Sequence, residues 1–504
     1  MDNFEYVVIQ AGGLGSRMGN HTLNKPKCMI SYNGKSIIQH TIDYFKNKKI
    51  FIICDYKKEL LKSYILDVLK YDVTFVDAKQ KSTTSGLDDI YDLLPENEPF
   101  IYLWSDLILT QDIKFDFNKD VNVYLTDEIL CRWSVVNNKM IKEASKENGV
   151  VGIFTLKNKS ILKKLNLKES FVGGNIVNFH SNEIGFKKIK GLIEIGTERF
   201  YNDLLINGSK SRFFNDVKIS KNVVTKKCID SNYSSLIDNE VSWYKFLNNK
   251  VNFIPYLVSS DPLTMTRIKG KHVFETTLSS ESKLEVIKSV CDNLNTLHSM
   301  DKKKSNLEDL QDIYINKTID RVFSVKGVIP FFTSSHFFVN GAYCINPFYK
   351  ENITDLINDI KTLLFNDSYG IIHGDPTFSN ILINSKNETF LIDPRGIFGK
   401  TKIYGDCNYD WAKLYYSVNG NYDSINSKSF SVKIEDNKID LKIKSNGFEE
   451  FSEIVLKNSN MSKKQMTLHQ SLIWLSLTGY VKEDYDSILY SFFYGVLLWN
   501  LMKI

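Results

Sequence analysis

The stretch AGGLGSRMGNHTLNKPK, Ala11–Lys27, decides the reading of the fold. It follows the apolar run Tyr6-Val7-Val8-Ile9, spends four glycines in nine residues, and then presents Arg17, Lys25 and Lys27. Glycine lets backbone N–H groups turn inward where a Cβ would clash, and a concave row of amides beside cations attracts anions. A buried strand running into such a loop predicts a phosphorylated ligand at the strand's end. Neither common phosphate loop fits. No Gly-Lys-Ser/Thr follows the glycines, and Met18 stands at the third glycine position of GxGxxG.

Working outward, the first two hundred residues alternate short apolar runs with helical stretches. The runs are Tyr6–Gln10, Ile50–Cys54, Val73–Val76, Phe100–Trp104, Val121–Leu125 and Val150–Phe154, with helices expected at Ile37–Asn47 and Lys58–Lys70. This alternation predicts an α/β, Rossmann-like domain with a mostly parallel sheet. Past residue 210 the pattern changes to a small antiparallel sheet with a helix at Leu236–Leu247, and from Ser280 helices dominate. The expected division is 1–208, 209–275 and 276–504. Within the last part, SFSVKIEDNKIDLKIK (Ser429–Lys444) alternates, turns and alternates again, which predicts an inserted β-hairpin. Its place beside an acceptor pocket or as surface decoration stays open.

The bulk composition excludes little. A net charge of +5 over 504 residues is small and spread out and argues neither for nor against nucleic acid with any force; no nucleic-acid partner is expected. Seven scattered cysteines without CxxC fit reduced thiols and a cytoplasmic setting. No signal peptide is read at the N-terminus. The apolar tail Ile488–Leu501 is short and carries Tyr and Ser, so a buried helix is expected and not a membrane span. Homo-oligomerisation stays open.

The combination of strand, GGxGxRM and KPK resembles the sugar-nucleotide pyrophosphorylase and phosphocholine cytidylyltransferase families over about residues 5–205. The resemblance implies a GT-A-like mixed sheet in which Ala11, Gly12, Gly13 and Gly15 wrap a nucleoside triphosphate while Arg17 and Lys27 grip its phosphates. Fixed cations there stabilise the charge that shifts as a phosphate monoester displaces pyrophosphate. It also implies Mg²⁺ on two carboxylates. Asp106 ends the run IYLWSD, and Glu194 of IEIGT stands where the family usually has Asp. Ser85 and Gly86 of STTSG are expected on the base and ribose, or simply at a helix cap. Gly174 and Asn175 of FVGGN are expected on the acceptor.

The second constellation is YGIIHGDPTFSNILIN followed by TFLIDPRG. A phosphotransferase needs a carboxylate to deprotonate the attacking hydroxyl, and an amide and a carboxylate to hold Mg²⁺. Asp375, Asn380 and Asp393 fit those roles in order and spacing. HGD in place of HRD resembles the aminoglycoside phosphotransferase and choline kinase superfamily over about residues 211–504, which implies a bilobal α+β kinase-like fold. By that resemblance Lys226 (favoured over Lys227 by alternation) binds ATP phosphates, Glu240 pairs with it, and Leu263–Val273, with Met265 and Ile268, crosses over the adenine. Asp410 or Asp406 either faces the acceptor or caps a helix.

Together these imply a bifunctional enzyme. One half phosphorylates a small alcohol or sugar with ATP. The other couples that phosphate to a nucleotide, giving an activated precursor for capsule, lipopolysaccharide or teichoic-acid decoration. A first domain of about 205 residues leans toward CTP and a small acceptor. Trp411, Trp474 and Trp499 offer either an aromatic wall for a quaternary ammonium or core packing. The alternative is a nucleotidyltransferase for a sugar 1-phosphate, with the kinase-like half regulatory or acting on an unrelated substrate.

Overall fold

The computed structural model describes residues 4–79, 82–180, 182–207, 215–229 and 234–504. The chain divides into two compact units, Met1–Gly208 with Glu483–Tyr485, and Ser209–Lys482 with Asp486–Ile504.

In the first unit the strands are β1 (Tyr6–Gln10), β2 (Lys49–Cys54), β3 (Thr74–Asp77), β4 (Phe100–Trp104), β5 (Leu107–Leu109), β6 (Val121–Thr126), β7 (Ser134–Val136), β8 (Lys139–Ile141), β9 (Gly149–Leu156), β10 (Ile184–Lys188) and β11 (Leu192–Glu194). Nine form one sheet in the order β8-β7-β9-β4-β1-β2-β3, with β6 on β9 and β10 on β6. β1 is central and parallel to both β2 and β4. Buried on both faces, it reads as a continuous apolar run, and Val7, Val8 and Ile9 are fully buried. Each such side chain contributes roughly 1.5–3 kcal/mol by leaving water. The sheet is mixed, as the resemblance implies and not mostly parallel as the alternation alone reads, because β9 runs antiparallel to β4 and β6. Residue patterns do not encode strand direction when both faces are covered. Helix α1 (Ile37–Tyr44) starts at Ser36, whose hydroxyl accepts the Gln39 amide at 3.3 Å. Helix α2 (Lys58–Ser63) gives way to a wider turn over Tyr64–Val68, and α3 (Leu87–Leu93) follows.

The second unit opens with an antiparallel sheet. It comprises β12 (Asn215–Ile219), β13 (Val223–Cys228), β14 (Leu257–Ser260) and β15 (Leu263–Thr266), in the order β12-β13-β15-β14. Helix α4 (Ser234–Leu247) lies between β13 and β14 in the chain. The chain then passes to β16 (Lys271–His272), and helices α5 (Ser280–Met300) and α6 (Lys317–Phe323) begin a largely helical body. Its strands are β17 (His336–Val339), β18 (Ala342–Ile345), β19 (Ser368–Ile371), β20 (Ile381–Ile383), β21 (Thr389–Leu391), β22 (Phe430–Glu435) and β23 (Lys438–Ile443). Its later helices are α7 (Cys407–Val418), α8 (Lys463–Thr478) and α9 (Tyr485–Met502).

The expected hairpin is β22–β23, and it is joined to the body. β23 pairs in parallel with β17, completing the sheet β18-β17-β23-β22. Helix α8 is started by a reciprocal cap between Ser462 and Gln465. Among the described residues no helix is long and apolar enough to cross a membrane. In α9, Ile488, Leu489, Phe492, Phe493 and Val496 are fully buried. Trp411, Trp474 and Trp499 are core residues as well, at most 3 % exposed. Trp474 packs on Tyr416, Tyr490 and Tyr494, which leaves no tryptophan wall for a quaternary ammonium.

Candidate functional site

The first unit gathers its charged groups where β1 and β4 end. Ala11 is buried and its N–H donates to the Ile53 carbonyl at 2.8 Å, which holds the loop mouth to β2. A Cβ on Gly12 would stand 3.2 Å from the Asp55 side chain, whereas one on Gly13 would point into open space. Gly15 adopts φ +66°, and a Cβ there would come within 3.0 Å of both Lys27 and Thr22. The loop therefore needs glycine at 15 to fold back onto Lys27. Met18, in place of a third glycine, is fully buried with Ile108 and Ile195. It pins the short turn that carries the exposed Arg17.

Lys27 Nζ lies 2.6 Å from Asp106 Oδ2. Glu194 is 88 residues from Asp106 in sequence, yet β11 pairs antiparallel with β5 so that Glu194 opposes Leu107 and the Ile195 amide donates to the Asp106 carbonyl at 2.9 Å. Burial, and next the Asp106 charge, push the Glu194 carboxyl well above the usual range, against the fields of Lys27 and Arg17. The fold thus brings Arg17, Lys27, Asp106 and Glu194 together. Three buried polar atoms here have no hydrogen-bond partner: Gln10 Oε1, Trp104 Nε1 and Asp106 Oδ1. Gln10 and Trp104 are register partners at the C-terminal ends of adjacent parallel strands, where open α/β sheets bind ligands. Neither was legible in the sequence, since each looks like the last residue of an apolar run.

Four residues expected at this site make contacts within the fold. Ser85 is buried and its hydroxyl accepts the Lys79 amide at 2.8 Å. Gly86, at φ +83°, packs on Ile53 at the start of α3. A Cβ on Gly174 would collide with Glu169. Asn175 is buried, donates to the carbonyls of Asn166 and Ser170, and accepts the Asn166 amide at 2.5 Å. Its side chain is consumed in holding its own loop shut.

In the second unit β13 alternates so that Lys226 faces inward and Lys227 is exposed. Lys226 Nζ lies 2.7 Å from Glu240 Oε2 of α4 and 3.2 Å from Asp393 Oδ1. Asp393 takes a left-handed backbone, φ 52°, just after β21. The loop after β19 carries Asp375, and Asn380 Nδ2 donates to the Asp375 carbonyl at 2.8 Å and to its Oδ2 at 3.1 Å. The Ile392 amide donates to the Asn380 carbonyl at 3.0 Å, tying the two loops together. Met265 is buried in β15 opposite Val224, and Ile268 lies half-buried in the link to β16. In that link a Cβ on Gly270 would stand 2.5 Å from the Ile383 carbonyl oxygen, so the backbones nearly touch.

Two residues beside this site are fixed by packing. His373 is fully buried, its Nδ1 accepts the Asp375 amide at 3.2 Å, and Nε2 therefore donates to the Ile392 carbonyl at 2.9 Å. Burial lowers its pKa, consistent with this neutral tautomer. Asp410 does not face an acceptor. It is fully buried, its two oxygens accept the amides of His373 and Gly374 at 2.7 Å each, and His298 Nε2 lies 3.1 Å away. Asp406 caps α7 by accepting the Asn408 amide. The residue that reaches Asp375 is Lys413, one turn beyond Asp410, with Nζ 3.0 Å from Oδ1. Nothing in its sequence context separated it from a surface lysine.

Among the described residues no three His, Cys, Asp or Glu side chains converge on one point. Oxygen ligands come in twos, Asp106 with Glu194, and Asn380 with Asp393. Two protein oxygens suit Mg²⁺, which usually keeps waters and takes further ligands from substrate phosphates.

Residues 7–113 match the MobA-like NTP transferase domain. The matched stretch contains Arg17, Lys27 and Asp106. The chain is 30% identical to the glucose-1-phosphate cytidylyltransferase of Salmonella typhimurium, over 22% of this chain and 55% of that protein. It is 28% identical to the CTP:phosphoglutamine cytidylyltransferase of Campylobacter jejuni, over 25% of this chain and 55% of that one. It is 37% identical to the ribitol-5-phosphate cytidylyltransferase of Streptococcus agalactiae, over 16% of this chain and 37% of that one. The chain spans about half the length of the first two of these relatives.

Proposed function

We propose that the chain is a bifunctional transferase whose second unit phosphorylates a small alcohol or sugar with ATP and whose NTP transferase domain couples the resulting phosphate to a nucleotide, CTP before others. The observation that carries the first half is the meeting of Arg17, Lys27, Asp106 and Glu194 at the strand ends. CTP is favoured because the three relatives are named as cytidylyltransferases, acting on glucose 1-phosphate, phosphoglutamine and ribitol 5-phosphate. The second half rests on Lys226 spanning Glu240 and Asp393 beside the Asp375–Asn380 pair.

In the second unit Lys226, oriented by Glu240, holds the ATP phosphates. Asp375 takes the proton of the acceptor hydroxyl as its oxygen attacks the γ-phosphorus, the bond to the β,γ-bridging oxygen breaks, and ADP leaves. Asn380 holds Asp375 in place for that transfer. In the NTP transferase domain an oxygen of the new phosphate attacks the α-phosphorus, the bond to the α,β-bridging oxygen breaks, and pyrophosphate leaves. Arg17 and Lys27 balance the charge on the triphosphate. Asp106 and Glu194 in one site, and Asn380 and Asp393 in the other, would hold Mg²⁺, which would supply further neutralisation of phosphate charge.

Phosphorus NMR on the full chain with Mg²⁺, ATP, CTP and a pool of alcohols and sugars tests this. A phosphomonoester followed by a pyrophosphate-linked nucleotide is expected. Asp375→Asn should slow the first step by roughly 10²–10⁴-fold and leave the second intact when the phosphomonoester is supplied. Activated product formed from the free alcohol at an unchanged rate by that variant would overturn the sequence of steps.

A further inference from the structure

The surroundings of Asp375 are unusually positive for a site that binds a small alcohol. Four cations from three elements converge there: Lys317 and Arg321 on α6, Lys413 on α7, and Arg395 two residues after Asp393. They gather around the buried Tyr409, with Lys317 Nζ 5.2 Å and Lys413 Nζ 5.9 Å from its ring centroid. Lys413 alone has a carboxylate partner, Asp375. Among the described residues Lys317, Arg321 and Arg395 make no ion pair, although none of the three is exposed. Arg321 is satisfied otherwise, donating to the Ser476 carbonyl at 3.1 Å and lying over the Tyr480 ring. The acidic group on the far side is the buried Asp423, which burial raises to about 7.

Holding several like charges out of water without a counter-ion is costly, and proteins keep such clusters where an anion completes them. The electrostatics agree with the geometry. Burial raises the Tyr409 phenol, but Lys317, Lys413 and Arg395 together outweigh it and hold the group well below its ordinary value. Burial first, then Arg395, Arg321 and Lys413, press the Lys317 ammonium below its own. The cluster favours negative charge at its centre and disfavours one more positive charge.

We infer that Lys317, Arg395 and Lys413 receive an oxyanion carried by the acceptor, so that the second unit phosphorylates an acidic alcohol (one bearing a carboxylate or a phosphate) and not a neutral or cationic one. This rests on the reading of Asp375 as the base, since Lys413 ties the cluster to that residue. Once the acceptor's anion pairs with the cluster, its hydroxyl is held beside Asp375, and Lys413 is shared between the two. A quaternary ammonium in the same place meets three or four cations. Arginine offers a planar fork for carboxylate or phosphate, while the two lysines act as point charges.

Equilibrium binding to the full chain in the presence of Mg²⁺ and a non-hydrolysable ATP analogue tests the inference. The probes are D-glycerate, glycerol 3-phosphate, glycerol and choline, followed by ligand-observed NMR. Saturable binding of an anionic probe is expected, weakened at least tenfold in a Lys317→Met/Arg395→Gln double variant and retained in Lys317→Arg. The comparison of glycerate with glycerol 3-phosphate says which oxyanion is taken. No saturable binding of either anion, binding unchanged in the double variant, or choline or glycerol binding more tightly would each overturn it. Loss of ATP-analogue affinity in the double variant would also overturn it, by giving the cluster to the nucleotide. Failure of the phosphotransferase reading itself shows separately, as ATP-analogue binding that is absent in the parent or unaffected by Lys226→Ala.

Discussion

His469 sits in α8 with neither ring nitrogen hydrogen-bonded, buried against the Tyr314 ring. Burial depresses its pKa to about 3 from an ordinary 6.5. As pH falls from 6.5 to 3, the unfolded chain takes up this proton before the folded one does. Stability is therefore full above pH 6.5 and is lost by about 1.4 kcal/mol per pH unit below it. A His469→Leu variant should show a shallower loss of unfolding midpoint between pH 6.5 and 4.5, read by denaturant titration at each pH. An acid slope equal to the parent's would mean that the imidazole is solvated in the folded state. At the residue scale, Lys27 and Asp106, singled out by the resemblance, lie 2.6 Å apart. Ser85 and Asn175 bond to their own backbone surroundings, and a polar side chain looks the same in sequence whether it meets a ligand or its own backbone.

Between elements, the link that matters most for the second site joins α7 to the loop after β19. Asp410 accepts two backbone amides and lies against His298, so its charge is fully used in fixing His373 and Gly374. Asp410→Asn turns one acceptor into a donor facing an amide. The expected cost is roughly 1–3 kcal/mol of stability for a buried group left unpaired, read by thermal unfolding. Phosphoryl transfer should fall with it, while nucleotidyl transfer from a supplied phosphomonoester stays at the parent rate. An unchanged kinase rate would separate the loop's position from catalysis. The sequence distinguished Asp406 from Asp410 no further than two acids near a helix start. One residue caps the helix and the other reaches back to a loop about 37 positions earlier, a distinction made only by packing.

Across the whole molecule, the two proposed half-reactions imply two separable losses. Lys27→Ala removes the cation on Asp106 and should cut nucleotidyl transfer by roughly 10²–10³-fold without touching ADP formation. Asp375→Asn does the reverse. Neither variant alone should make activated product from the free alcohol, and an equimolar mixture should restore it, after a lag while free phosphomonoester accumulates. Phosphorus NMR follows both species. A mixture that stays inactive, although each variant retains its own half-reaction, would show that the intermediate is never released.

Taken alone, the sequence determined that charged and amide residues stand at the ends of apolar runs. Asp106, Asp375, Asn380 and Asp393 could be placed there from local pattern, while Arg17 and Lys27 were singled out by the resemblance of the glycine loop that carries them. Lys226 followed from alternation along one strand. Tertiary structure alone decided that β9 runs against its neighbours, that Glu194 lies beside Asp106 through the pairing of β5 and β11, and that Gln10 and Trp104 end with unpartnered polar atoms. It also decided that Lys317, Arg395 and Lys413 gather around Tyr409. The reason is physical. Charge clustering and buried polar satisfaction depend on distances between segments far apart in the chain, and those distances exist only once the cores have packed.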